Sequence, residues 1–181
     1  RGYQLDLALQ LEALDLSKID GVVTTAFLDL VSAPWLARLC HLLQQHPRPL
    51  LATLSVDGQR RWSPPHPADA QMLAAFQAHQ GGDKGFGPSL GNGACAHLAT
   101  RLRDIGYQVS QAPSDWQIGP TQRAMLLQML EEAVGVARES TPAAAHSMVD
   151  GWHRQRIEQL DHGSLSLEIG HQDLLALPAG L

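Results

Sequence analysis

Asp20–Leu36, DGVVTTAFLDLVSAPWL, decides the fold. Val22, Val23, Thr24 and Thr25 form a short, β-branched run of the kind found in a strand buried on both faces of a parallel sheet. At Ala26 the pattern changes. Phe27, Leu28, Leu30 and Val31 follow, then Ser32, with Pro34 two residues on. Serine caps helix N-termini, and proline is tolerated in the first turn. The stretch therefore predicts strand, turn, helix. In open α/β sheets ligands bind outside the carboxyl ends of such strands, which puts Thr24, Thr25, Ala26 and Asp29 at the rim of a site.

Upstream, Arg1–Leu7 reads as the end of a strand with Asp6 near its tip. A short helix or loop follows, with Leu9, Leu11, Leu14 and Leu16 inward. Downstream, Pro34–Gln45 carries a helical stripe of Leu36, Leu39, Cys40, Leu42 and Leu43, stopped by Pro47 and Pro49. Leu50–Val56 reads as a strand, and Asp57-Gly58 as a two-residue hairpin returning Gln59–Ser63 antiparallel. Ala68–Gln80 is helical, Gly81–Gly93 is a glycine-rich loop, and a further helix runs to about Ile105, closed by Gly106. Tyr107–Ala112 alternates as a half-buried strand does. Helices are expected over Thr121–Arg138 and Ala143–Leu160, and a last strand over Ser164–Ile169, which His171–Leu177 extends or folds back upon. Alternation of this kind predicts an α/β fold, a parallel sheet with an antiparallel edge.

The 181 residues suit one domain, and a net charge of -5 without a basic run disfavours a nucleic-acid groove. Cys40 and Cys95 both lie in helical patterns, which fits a reduced, cytoplasmic chain. No apolar run approaches the roughly 18 residues of a membrane span, and no signal peptide is visible. The nine histidines show no metal-ligand spacing. No G-x-S-x-G elbow is present, and Gly81–Gly93 lacks the Gly-Lys-Ser/Thr ending of a phosphate loop. A chain that opens with Arg1 rather than Met is expected to be a piece of something longer.

LDLA (Leu5–Ala8), DGVVTTAFLDLV (Asp20–Val31), PLLATLSVDG (Pro49–Gly58), GYQVSQAPSDW (Gly106–Trp116) and SLSLEIGHQDLLALP (Ser164–Pro178) occur in that order. Together with the helix of Ala94–Gly106 they resemble the second half of a class I S-adenosylmethionine-dependent methyltransferase, from its third strand to its seventh. DKGFGPSLG (Asp83–Gly91) and APSDWQIGP (Ala112–Pro120) are similar to blocks of an uncharacterised bacterial subgroup of these enzymes. The resemblance implies a Rossmann-like, mostly parallel sheet with an antiparallel terminal hairpin, lacking its first two strands. It implies a single, partial methyltransferase-like domain over 1–181, with inserted segments 64–93 and 120–161. The family's glycine-rich first motif is not in this chain. Gly91–Ala96 (GNGACA) fits G-x-G-x-x-A, but no strand precedes it, so the match reads as coincidence.

The resemblance implies S-adenosylmethionine as cofactor and methyl transfer to a small-molecule acceptor. Asp6 would accept from the adenine amino group; otherwise it is a solvated turn carboxylate. Leu7 would add an apolar wall, and Thr24, Thr25 and Ala26 the strand-tip contacts, with plain burial the alternative for Thr24. Asp29 is the candidate base, facing the cleft or pairing locally. Lys84 and Phe86 would shape the acceptor side as a lid, or belong to a mobile insertion. Trp116 would line that pocket or join the core. The Thr121–Leu160 insertion would cap the domain or make a homodimer contact. The competing reading is a non-catalytic module or fragment that associates through an open sheet edge.

Overall fold

The computed structural model describes Gly2 and residues 4–180. In chain order its elements are β1 Val22–Thr25, α1 Ala33–Gln45, β2 Leu50–Ser63, α2 Asp69–Gln80, α3 Ala94–Asp104, β3 Tyr107–Pro113, β4 Trp116–Ile118, α4 Arg123–Ser140, α5 His146–Asp161 and β5 Ser166–Pro178. The class is α/β. Five strands form one mixed sheet in the order β1-β2-β5-β3, with β4 also pairing β5. The sheet starts parallel and continues antiparallel. β1 and β2 pair in parallel from Val22↔Leu50 to Thr25↔Thr53, whereas β3 and β4 run antiparallel to β5.

The described residues gather into two compact units. The first runs to Asp57, resumes over Gly81–Ser114 and ends with the residues from His171; the second holds Gly58–Gln80 and Asp115–Gly170. Of the segments expected as insertions, 64–80 and 120–161 fall in the second unit and 81–93 in the first.

In the first unit, α1 forms where the sequence predicts it. The Ser32 side chain accepts a hydrogen bond from the Trp35 amide at 3.4 Å, Pro34 sits in the first turn, and Leu36, Leu39, Cys40, Leu42 and Leu43 are buried. Their core includes Leu50 and Ala52 of β2, Leu98 and Leu102 of α3, and Leu174 and Ala176 of β5. Cys40 and Cys95 are free and buried, and burial pushes the Cys40 thiol up to about 11. Gly106, at φ +89°, ends α3.

Four expectations are corrected here. Among the described residues of Arg1–Leu7 there is no strand; Arg1 and Tyr3 lie outside the description. Instead the Asp6 carbonyl accepts from the Leu9 and Gln10 amides, a local turn that satisfies backbone groups without a sheet neighbour. Leu9 is 78% exposed, although Leu11 and Leu16 are buried as expected. β1 is not buried on both faces. It lies at one end of the strand order, and Val23 is 69% exposed. Asp57-Gly58 makes no hairpin, because β2 continues from Leu50 to Ser63. A tight primed turn of the Asp-Gly kind needs left-handed backbone at both central residues, and only Gly58, at φ +88°, has it. His171–Leu177 extends the last strand and does not fold back.

The second unit packs α2, α4 and α5 around Trp62, Met72, Leu126, Leu130, Val149 and Trp152. Trp62 and Trp152 meet edge to face at 5.5 Å. Arg156 of α5 is fully buried, with Nη2 donating to Asp69 Oδ1 at 2.6 Å. No described helix is long and apolar enough to cross a membrane.

Candidate functional site

β1 ends in a strained turn. Ala26 has φ +49°, a conformation that costs a residue with a Cβ of the order of 1 kcal/mol or more. Its amide donates to the Thr53 carbonyl at 3.0 Å, and the Thr25 and Thr53 hydroxyls share a hydrogen bond of 2.9 Å. The next residue of β2, Leu54, is also left-handed, at φ +54°. Its amide donates to Asp173 Oδ1 at 2.9 Å, and the Ser114 hydroxyl donates to the same oxygen at 2.7 Å. Two non-glycine residues in left-handed backbone thus stand at the carboxyl end of β1 and on the strand beside it. Such strain persists only where the surroundings over-determine it, and it gathers at ligand sites.

Beside this turn lies a hollow of about 380 Å³, lined by Leu7, Val23, Thr24, Thr25, Phe27 and Trp35 among others. Its size falls in the range of small-molecule pockets. Leu7, Thr24 and Thr25, singled out in the sequence, come together on it. Asp6 does not line it. Its carboxylate accepts from the Ala8 and Leu9 amides at 2.9 and 3.3 Å, the local use of a turn aspartate. Ala26 stands exposed at the strand tip, its amide turned to Thr53.

The glycine-rich loop forms one side of the same region. Phe86 packs edge-on against Phe27 at 5.3 Å and Trp35 at 5.8 Å. Asp83 Oδ1 accepts from the Gly85 and Gly87 amides, and the Leu90 amide donates to the Val31 carbonyl. Gly87 must be glycine: at φ +83° a Cβ would lie 3.3 Å from Ser32 Oγ. The loop is therefore docked on the start of α1. Lys84 is exposed on it, two residues before Phe86. Trp116 stands on β4, in the second unit, opposite Ile169 of β5, so it is not grouped with these residues.

Asp29 lies in the short 3-10 turn Leu28–Leu30, between β1 and α1. It is half-buried. Loss of water pushes its carboxyl above the ordinary value, partly offset by its own backbone amide and by the charge of His171. A carboxylate held this way is a better proton acceptor than an exposed one. Among the described residues no three His, Cys, Asp or Glu side chains converge as a metal site.

Sequence reasoning missed Trp35, Thr53, Leu54 and Asp173. Trp35 lay inside the decisive stretch and read only as part of a helix. Nothing in LLATLSV marks Leu54 for left-handed backbone, because no glycine or asparagine stands there. No family model matches this chain, and no curated protein matches it.

Proposed function

We propose that this chain carries the methionine- and acceptor-side half of an S-adenosylmethionine-dependent methyltransferase site on a Rossmann-like sheet. One observation carries the reading. Leu7, Thr24 and Thr25, from two separate segments, converge on one hollow that runs along β1, with Asp29 in the turn that follows the strand. The residues present fit the cofactor. The hollow is of ligand size, its walls are apolar, and polar backbone groups lie at a strained strand tip.

S-adenosylmethionine, when bound, supplies an electrophilic methyl group. The chain's own part is to position and to exclude water. Leu7, Val23 and Phe27 give the hollow apolar walls, and Thr24 and Thr25 edge it. Phe86, on the docked loop, bounds the acceptor side with Lys84 at the loop's outer end. Asp29 takes the proton that a neutral acceptor must lose as it is methylated. The acceptor is a small molecule.

Isothermal titration with S-adenosylhomocysteine tests this. Saturable micromolar binding is expected, weakened at least about tenfold by Thr25→Trp, which fills the hollow from an exposed position. No binding by a folded chain of intact mass removes the reading. The exposed Val23 on a terminal strand favours a second one, an association module that adds a strand to β1. Under that reading Val23→Lys changes the oligomeric state in sedimentation and S-adenosylhomocysteine gives no heat.

A further inference from the structure

Two walls of the hollow and the glycine-rich loop beside it meet on one side chain. Trp35, in the first turn of α1, is 5% exposed. Its Nε1–H donates to the Leu7 carbonyl at 2.8 Å. Its ring meets Phe27 edge-on at 5.3 Å and 74°, and Phe86 at 5.8 Å and 86°. Phe27 and Phe86 complete the triangle at 5.3 Å and 90°. Leu7 belongs to the turn after Asp6, Phe27 to the turn after β1, and Phe86 to the glycine-rich loop.

The Leu7 wall and the loop each have a second hold that does not touch the other. Arg38 fixes the Leu7 side: Nη1 donates to the Ala8 carbonyl at 2.6 Å, and Nε and Nη2 take both oxygens of Glu12. The loop is fixed by the Leu90–Val31 backbone bond and by Gly87 against Ser32. Of these contacts, only those of Trp35 reach both. We infer that Trp35 is the positioning residue of this site, and that it couples the glycine-rich loop to the Leu7 wall.

The physical reason is the geometry of the indole. Its N–H reaches the Leu7 carbonyl in the ring orientation that two edge-on phenyl contacts define. If Phe86 withdraws, one of those contacts goes and the ring gains freedom to turn. The bond to Leu7 weakens, and the wall between Asp6 and Leu14 loosens with it. Phe86 stands between Gly85 at φ +94° and Gly87 at φ +83°, whose amides both donate to Asp83 Oδ1, so the loop presents the ring to Trp35 in one fixed turn. Seating Phe86 orders the wall, and releasing it loosens the wall. The consequence for catalysis rests on the methyltransferase reading; the coupling does not.

Hydrogen exchange on the whole unliganded chain separates the two. Phe86→Ala alters the loop alone, yet the Leu9, Gln10 and Leu14 amides, bonded within the wall, should exchange at least about tenfold faster. Trp35→Phe keeps an aromatic ring but removes the N–H together with the fused five-membered ring, and should loosen the same amides. Phe86→Leu, which refills the contact, should restore most of the protection. Arg38→Met should loosen the wall and leave the Gly85 and Gly87 amides at their wild-type rates. Wild-type exchange in the wall of Phe86→Ala overturns the coupling. S-adenosylhomocysteine should then protect loop and wall together. If it protects neither while Phe86→Ala still loosens the wall, the coupling stands and the cofactor reading falls.

Discussion

The two units bury polar groups in opposite ways. In the second, Arg156 is wholly buried, and what it faces is already matched: Asp69 accepts from Arg156, from the Trp152 indole and from the His66 amide. Two bonds of that carboxylate tie α2 to α5, and the third, from the His66 amide, closes the turn at the start of α2. In the first unit, Asp29 is half-buried with no salt bridge to an arginine among the described residues, and two non-glycine residues sit in left-handed backbone near the tip of β1. The contrast separates structure from chemistry. A buried charge held against an opposite one specifies packing. A half-buried carboxylate whose burial makes its ionisation harder is available to take a proton.

The largest effect should come from breaking the matched network. Asp69→Ala leaves Arg156 buried without its partner, a loss of about 3–5 kcal/mol. Arg156→Met fills similar volume and leaves an Asp69 that still accepts from Trp152 and His66, so its cost should be smaller. Urea unfolding of the two variants measures both. An order with Arg156→Met the worse would mean that packing of the guanidinium over Trp62 and Trp152, not its pairing, holds the unit.

Asp29→Asn tests the other side of the contrast. The folded carboxyl lies above its unfolded value, so the folded state binds the proton more tightly. The stability it contributes is full below the unfolded value and is lost as pH rises through the folded one. Asp29→Asn should therefore flatten the stability profile upward from the ordinary carboxylate range, and should be no less stable than wild type at neutral pH. If the residue is the base, methyl transfer should fall by about 100-fold. A variant that is both less stable and equally active would make Asp29 structural, like Asp69.

The same contrast governs what the sequence reveals. The strand-turn-helix of Asp20–Gln45 is legible because each signal is local: β-branched residues, then Ser32 and Pro34. The buried stripe of α1 follows from its spacing. Asp57-Gly58 misleads because the dipeptide favours a hairpin locally, and a strand running through to Ser63 overrides it. Arg156 is illegible in HRQRIEQL, where a charged residue reads as solvent-facing until Asp69 of α2 meets it. At the site, Thr24 and Thr25 are legible as strand-tip residues. Trp35 is not, because its role depends on Leu7 and Phe86, 28 residues before it and far after it in the chain. Non-local contacts of this kind leave no periodicity to read.

The smallest effect concerns the wall itself. Glu12 is exposed, and its carboxyl is held at about 2, against an ordinary 4.5, chiefly by its hydrogen bonds from Arg38. The sign is opposite to that of Asp29. The contribution of Glu12 is present above the unfolded value and is lost as pH falls through the folded one, between 4.5 and about 2. Both partners are open to solvent, so global stability should barely register the change. The Leu9–Leu14 amide resonances should register it, moving together as pH falls through that window. Glu12→Gln should show the loosened positions already at neutral pH, with the α1 amides unmoved. If those resonances hold their wild-type positions in Glu12→Gln, the Arg38–Glu12 pair contributes nothing to the wall. Trp35 and the Arg38 bond to Ala8 then hold it alone, which makes the wall more dependent on the loop and sharpens the coupling through the indole.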